Sequence, residues 1–415
     1  MNAVEIGPVA PHERTQSAFD IFWIWAGANI VATTLAVGAS LASSFPLRDA
    51  LLLILVGSLA GAALLGSLAP LGPRLGVPSI IAARAALGIR GAGVVAFFMY
   101  VANFAWIAVN NVIAASSCAA IFGGRESERA WAFALGIVAT LIVAGGPGLV
   151  AKTDRIAVPL MLALSLVLTV ACLRLPASPD PATGAAGLGV ARGLDVVLGY
   201  QVSWILMFAD YTRYTRSERK SAIAVFFGLG LTSLWLMPLG LLSARAAGTT
   251  DPGSMLSAVG LGISGGLLMA LGTITTNFVN IYLSALAWRS LVPRTRESVS
   301  LWAVGGIGSL LSLLSRAWLE RFADFMLLLG GVFTPVGGAL LARFFLVRRP
   351  VAVEWLYDAR GPLSRHHGFA VPGVVAWAAG AALYYFPGDL GGTVPALTGS
   401  ALSYWLVDKL TAGRA

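Results

Sequence analysis

Charge is scarce in this chain. Only 11% of its 415 residues are Asp, Glu, Lys or Arg, and 57% are hydrophobic, whereas an ordinary soluble domain carries roughly 25% charged residues. A water-soluble globular fold is thereby excluded, and an all-α polytopic membrane protein is expected. Cysteine and histidine are scarcer still. Cys118 and Cys172 lie in apolar runs without a CxxC or His-rich neighbourhood, so they read as small buried hydrophobes rather than a disulfide or metal ligands. The 3 histidines, His12, His366 and His367, fall outside the hydrophobic runs. No GxxxxGK[ST], HExxH or GxSxG occurs, so ATP-driven, zinc-dependent and serine-nucleophile chemistry lack their parts and no enzyme is expected. The net charge of +9 is dispersed over short loops rather than gathered on one face, which argues against nucleic acid as a partner. The first residues carry Glu5, Glu13 and Arg14 and no small-residue cleavage site, so no cleaved signal is expected.

What the chain does have is long uncharged runs. On a template of about 20 residues per span they give about twelve helices, near 18–43, 50–72, 91–122, 130–150, 156–175, 194–212, 221–244, 256–288, 298–315, 322–346, 368–387 and 391–408. Residues 1–17 and 409–415 are left as tails. Two loops are long: Leu175–Gly193, rich in Pro, Gly and Ala and able to hold a surface segment, and Val347–Gly368, read as a solvated connector. Most of the 28 Lys and Arg fall on the side that carries both termini when loops are assigned alternately, which predicts a multi-pass plasma (inner) membrane protein with both ends cytoplasmic. Lipid is the partner this implies, and no obligate protein partner is expected.

Polar side chains at membrane depth are the informative minority. Asn103, Trp106 and Asn110 recur at i, i+3 and i+7 in the third run, on one helix face. An amide unpaired in hydrocarbon costs several kcal/mol, so this stripe must face protein, a cavity or a ligand. In the eighth run Thr273, Thr276, Asn277, Asn280 and Ser284 form a second stripe. Hydroxyls can bond back to their own helix, but a backbone cannot satisfy both asparagine amides. The first and sixth runs have interrupted centres, Trp25–Thr34 with Gly27 and Asn29 in its middle and Gly199–Trp204 with a glycine followed by an amide. Taken alone, each glycine also fits close helix packing. As a pair in spans of opposite direction, the breaks point to the site of a transporter built from inverted repeats.

Spans one, three, six and eight contain no Asp, Glu, Lys, Arg or His between their membrane ends, which disfavours a proton relay and favours a monovalent cation held by carbonyls and hydroxyls. A neutral cavity with an aromatic face and amides suits an uncharged, flat, hydrogen-bonding heterocycle. The cluster Asp210-Tyr211-Thr212-Arg213-Tyr214 at the end of the sixth run is read as structural.

Several stretches, in order along the chain, resemble the nucleobase:cation symporters, the family that includes purine and cytosine permeases. They are Ala83–Gly91, Ala209–Tyr214, Thr275-Thr276-Asn277, Pro335–Gly338 and Leu402–Trp405. The resemblance implies a LeuT-type fold: a core of ten spans over 18–346 in two inverted repeats, 18–175 and 194–346, plus two C-terminal helices in 368–408. It implies substrate contacts from Asn103, Trp106, Asn110, Tyr200, Gln201 and Asn277, with Trp106 stacking on the ring. It also implies a sodium site of Gly272, Thr275 and Thr276, completed by the carbonyls of Gly27 and Ile30. No cofactor is implied beyond the coupling ion, with sodium expected. Cytosine is the leading substrate expectation, followed by a hydroxymethylpyrimidine thiamine precursor and by purines or hydantoins.

Overall fold

The structure, a computed structural model, describes residues 6–175, 188–314, 316–386 and 391–412. The described residues are helical, with no strand. Thirteen longer helices carry the fold: α1 (Ala18–Asn29), α2 (Ala32–Ser40), α3 (Leu47–Leu68), α4 (Arg84–Phe122), α5 (Glu128–Ala144), α6 (Pro147–Leu173), α7 (Val190–Val202), α8 (Glu218–Ala247), α9 (Gly262–Leu291), α10 (Glu297–Leu311), α11 (Phe322–Leu341), α12 (Val371–Tyr385) and α13 (Thr393–Ala412). Each of the twelve expected runs contains helix. Among the described residues, 8 helices are long and apolar enough to cross a membrane, or 9 if the bent pair α1–α2 is one span. The fourth, sixth and twelfth runs fall short for separate reasons. α5 has 17 residues, the sixth run breaks after α7, and α13 is less apolar. Most of the Leu175–Gly193 loop, the tail residues 1–5 and 413–415 and the end of the eleventh run lie outside the described residues.

The first interruption is built by local chemistry. α1 opens on a reciprocal cap, with the Asp20 amide donating to Ser17 Oγ (3.2 Å) and the Ser17 amide to Asp20 Oδ2 (2.8 Å). It ends at Asn29, where Val31 turns extended (φ −143°, ψ 162°) and α2 leaves at 58°. The sixth run keeps its helix through Gly199 and breaks at Ser203, four residues later than the glycine suggests; the chain continues as short 3-10 turns at Ile205–Met207 and Thr212–Tyr214. Gly199 serves packing instead, since a Cβ there would lie 2.5 Å from the Met326 carbonyl oxygen of α11.

α8 packs against α1, α2 and α3. Its seam with α2 is reciprocal: a Cβ on Gly38 would overlap the Met237 carbonyl, and one on Gly240 would overlap that of Leu35. α3 presents Gly57 and Gly61 inward to α7 and exposes Leu51, Leu52, Leu55, Val56 and Leu59 on the opposite face, as a lipid-facing helix does. Near the other end of the core, Gly88 (φ 79°) kinks α4 so that the Leu87 carbonyl accepts from the Ala370 amide (2.9 Å), anchoring the start of α12. The Val347–Gly368 connector is largely solvent-exposed, as expected, and is pinned at Leu356, which is fully buried and whose carbonyl accepts from Arg84 (2.8 Å). Asp210 is buried and structural, accepting from the Ser79 hydroxyl (2.5 Å) and amide (3.4 Å).

Overpacking the α2–α8 seam should cost about 1–3 kcal/mol or more. Gly240→Leu is therefore expected to lower the melting temperature of the detergent-solubilised protein, whereas Gly306→Ala, whose Cβ meets nothing within 4 Å, should not; thermal unfolding followed by size-exclusion chromatography reads both.

Candidate functional site

A cavity of about 20 Å³ lies where the two interrupted runs meet α4, α9 and α11. Its wall comprises Thr33 of α2, Met99, Ala102, Asn103 and Trp106 of α4, and Ser203, Trp204 and Leu206 from the break after α7. Thr276, Asn280 and Leu283 of α9 and Phe333 of α11 complete it. None of these side chains is ionisable. Free space of this size holds about one water, so a heteroaromatic ring enters only if wall residues move apart.

Trp106 is nearly buried, its ring set edge-on to Tyr200 (centroids 6.1 Å apart) and Phe325 (5.2 Å). Asn103, one turn away, is buried with its Nδ2 lacking a protein partner, so a donor at the wall is left for something in the cavity. Ser203 Oγ donates to the Tyr200 carbonyl (2.6 Å) and Thr276 Oγ1 to the Gly272 carbonyl (2.7 Å). Each hydroxyl has thus placed its one hydrogen, and its remaining lone pairs can only accept.

The other expected substrate residues sit behind the wall. Asn110 Nδ2 approaches Asn277 Oδ1 at 3.4 Å, Asn277 Nδ2 donates to Asn111 Oδ1 (2.8 Å), and Thr273 Oγ1 donates to the Asn110 carbonyl (2.8 Å). These amides join α4 to α9. Tyr200 and Gln201 turn toward α8 and the first break: the Tyr200 hydroxyl donates to Asn29 Oδ1 (3.0 Å) and lies 2.6 Å from Thr34 Oγ1, and Gln201 Nε2 donates to Ser233 Oγ (2.8 Å). Thr33, Ser203, Trp204, Leu206, Asn280 and Phe333 line the cavity without having been singled out as substrate contacts. Asn280 belongs to the polar stripe of the eighth run, and Ser203-Trp204 directly follow the interrupted segment, so both carried a readable signal. Phe333 carried none.

Of the expected ion ligands, Gly272 lies against the first break. The last carbonyls of α1 have no following helical amides to accept from, because Val31 is extended. Gly272 of α9 faces this gap, its Cβ position 3.5 Å from Val31 Cα and 3.6 Å from the Ala32 nitrogen. Thr275 and Thr276 follow within a turn, the Thr275 hydroxyl donating to the Leu271 (3.1 Å) or Gly272 (3.2 Å) carbonyl. Gly27 lies one turn back along α1. Among the described residues no group of three or more His, Cys, Asp or Glu side chains comes together. The oxygens at the break are neutral carbonyls and hydroxyls, a hard donor set that fits an alkali cation.

Comparison with known proteins gives the family and the fold. The family model for permeases of cytosine/purines, uracil, thiamine and allantoin matches residues 8–407. Among curated relatives, a Bacillus subtilis (strain 168) protein named as a purine-cytosine permease is 25% identical over 375 residues, covering 85% of this chain and 81% of its own. The cytosine permease of Escherichia coli (strain K12) is 21% identical over 428 residues, covering 97% and 94%. Among solved structures, the inward-facing conformation of Mhp1 superposes with a TM-score of 0.85 at 19% identity over 98% of this chain and 93% of that one. Mhp1 in a closed conformation with bromovinylhydantoin bound, described as a nucleobase-cation-symport-1 family transporter, gives 0.84 at 18% identity over 99% and 95%. The chain has the helical fold of these membrane transporters, and it belongs to the family of permeases for cytosine/purines, uracil, thiamine and allantoin.

Proposed function

We propose that this permease imports a neutral nucleobase, with cytosine the leading candidate, by symport with sodium across the inner membrane. The observation that carries the reading is a shared residue: Thr276 lines the uncharged cavity and lies one turn from Gly272, which faces the broken first span. Ring and ion would thus be held on consecutive turns of one helix. The carbonyls of Gly27 and Ile30 and the hydroxyls of Thr275 and Thr276 would take the cation, closing the gap between α1 and α9. Trp106 would stack on the ring, with Asn103, Ser203, Thr276 and Asn280 available to its polar edge. Asn110 and Asn277, though behind the wall, would reach the ring if it displaces their weak 3.4 Å contact. The twelve spans in inverted repeats, with both termini cytoplasmic, belong to the same proposal.

A thermal-shift screen of cytosine, uracil, purines, hydantoins and hydroxymethylpyrimidine, each in sodium or choline chloride, tests ring and ion together. A ligand that binds the folded state raises the melting temperature by mass action, and the expected result is a shift for cytosine that is larger in sodium. A response to a hydantoin or a thiamine precursor alone would replace cytosine; equal shifts in both salts would remove sodium.

Trp106→Ala should abolish uptake of the responding ring while leaving folded protein in the membrane. Thr275→Val, which removes one proposed ion oxygen without touching the cavity lining, should raise the sodium concentration for half-maximal uptake about tenfold or more, a loss of about 1.4 kcal/mol per decade. Orientation is open to thiol labelling, because Cys118 and Cys172 are both buried. Ser217→Cys, placed in the loop before α8, should react with an impermeant maleimide only when the inner membrane face is exposed.

A further inference from the structure

We propose that Tyr200 is a positioning residue that couples the ion site to the substrate cavity, rather than a residue that contacts the ring. The inference rests on the sodium reading above. Tyr200 lies in the last turn of α7, three residues before Ser203, and is fully buried. Its hydroxyl reaches across to the other interrupted run, where it donates to Asn29 Oδ1 (3.0 Å) and meets Thr34 Oγ1 (2.6 Å). Asn29 is the final residue of α1, between the two residues whose carbonyls are assigned to the cation. The Asn29 carbonyl itself accepts from Thr34 Oγ1 (2.7 Å). One hydroxyl therefore touches both helices that flank the first break, α1 at Asn29 and α2 at Thr34.

The far side of Asn29 is held firmly. Its Nδ2 is within reach of the Thr232 (2.8 Å) and Ser233 (2.8 Å) hydroxyls of α8, and Ser233 also accepts from Gln201 Nε2 (2.8 Å). Movement of Asn29 relative to α8 thus breaks bonds in a region without solvent, where an unmade hydrogen bond carries its full penalty. Ser233 ties α7 to α8 as well, so a shift of Asn29 that breaks none of these bonds carries α8 and α7 with it, and Tyr200 is the direct link from Asn29 to α7. The residues just beyond Tyr200 in the chain form cavity wall: Ser203, Trp204 and Leu206, joined to it by the Ser203–Tyr200 carbonyl bond (2.6 Å). Trp106 stands against the Tyr200 ring on the cavity side. Ordering of the first break by a cation would be delivered to the wall that must open for a ring. The same path makes the effect reciprocal, because a coupling free energy acts equally in both directions.

The test needs no transported ligand. Leu206→Cys places a thiol on the wall segment, and its labelling rate with N-ethylmaleimide is measured in sodium and in choline chloride, with melting temperature as a separate readout of ion binding. Sodium is expected to change the rate by about fivefold or more. Adding Tyr200→Phe should abolish the rate change while sodium still raises the melting temperature. A rate change that survives Tyr200→Phe, or a Leu206→Cys thiol indifferent to sodium in a protein that sodium stabilises, would overturn the coupling. Loss of the melting-temperature shift along with the rate response would make Tyr200 only a support of the ion site, and would also overturn it. If sodium stabilises no form of the protein, the ion reading itself falls and the coupling falls with it. Should Tyr200→Phe not fold, Thr34→Val in the same background decides: a lost rate response with retained stabilisation supports the coupling, and a full response overturns it.

Discussion

A helix that stops inside a membrane must find partners for the backbone groups it strands, and the structure is arranged around that demand. The first run stops at Asn29, and the side chain at that position is satisfied from three elements at once: Thr232 and Ser233 of α8, Thr34 of α2 and Tyr200 of α7. Carbonyls nearby are not satisfied by following helical amides, and Gly272 of α9 lies against the adjoining backbone at Val31 and Ala32. The interruption is thus stabilised on one side by amides and hydroxyls and left available on the other. A cavity and an ion site need the same thing, irregular backbone surrounded by protein rather than lipid, so they share a location.

Much of this was legible in the sequence, because polar residues stand out against hydrocarbon. Trp106 and Asn103 could be placed on one face and found at a cavity wall, and the interruption after Gly27 lies within a few residues of where α1 ends. Less legible was how polar residues divide between one another and a cavity. Asn110 and Asn277 recur on the right faces, yet they meet each other and Asn111 across the α4–α9 contact. Periodicity reports a shared face but not which facing helix carries the complementary group. The second break falls at Ser203, inside the expected stretch but not at its glycine. Gly199 has the signature of a helix breaker, but it is small so that the Met326 backbone can approach, and the helix continues to Val202. The connector after α11 is the solvated loop its composition suggests, but its anchor at Leu356 depends on Arg84, far away in the chain.

Size and satisfaction together describe the cavity. About 20 Å³ is too little for a ring, and the residues around it are not equally free to yield. α4 and α9 are joined by their amides behind the wall, and α2 and α8 meet backbone to backbone at Gly38 and Gly240. Ser203 and Trp204 lie in a turn after α7 and Leu206 in the short 3-10 segment that follows, where it already departs from helical geometry. The wall is rigid on two sides, and its compliant part is the second interruption.

The amide seam between α4 and α9 has a consequence for how such permeases diverge. Asn277 Nδ2 bonds Asn111 Oδ1 at 2.8 Å with no cargo present, while Asn110 Oδ1 and Asn111 Nδ2 are buried without a protein partner, so α4 and α9 are joined at this seam independently of any one cargo. Changes at Thr33, Ser203, Trp204 or Asn280 can alter the edge presented to a ring without breaking that bond. A single scaffold can then be retuned by a handful of substitutions, each tolerable on its own, and a change of diet need not pass through an unfolded ancestor.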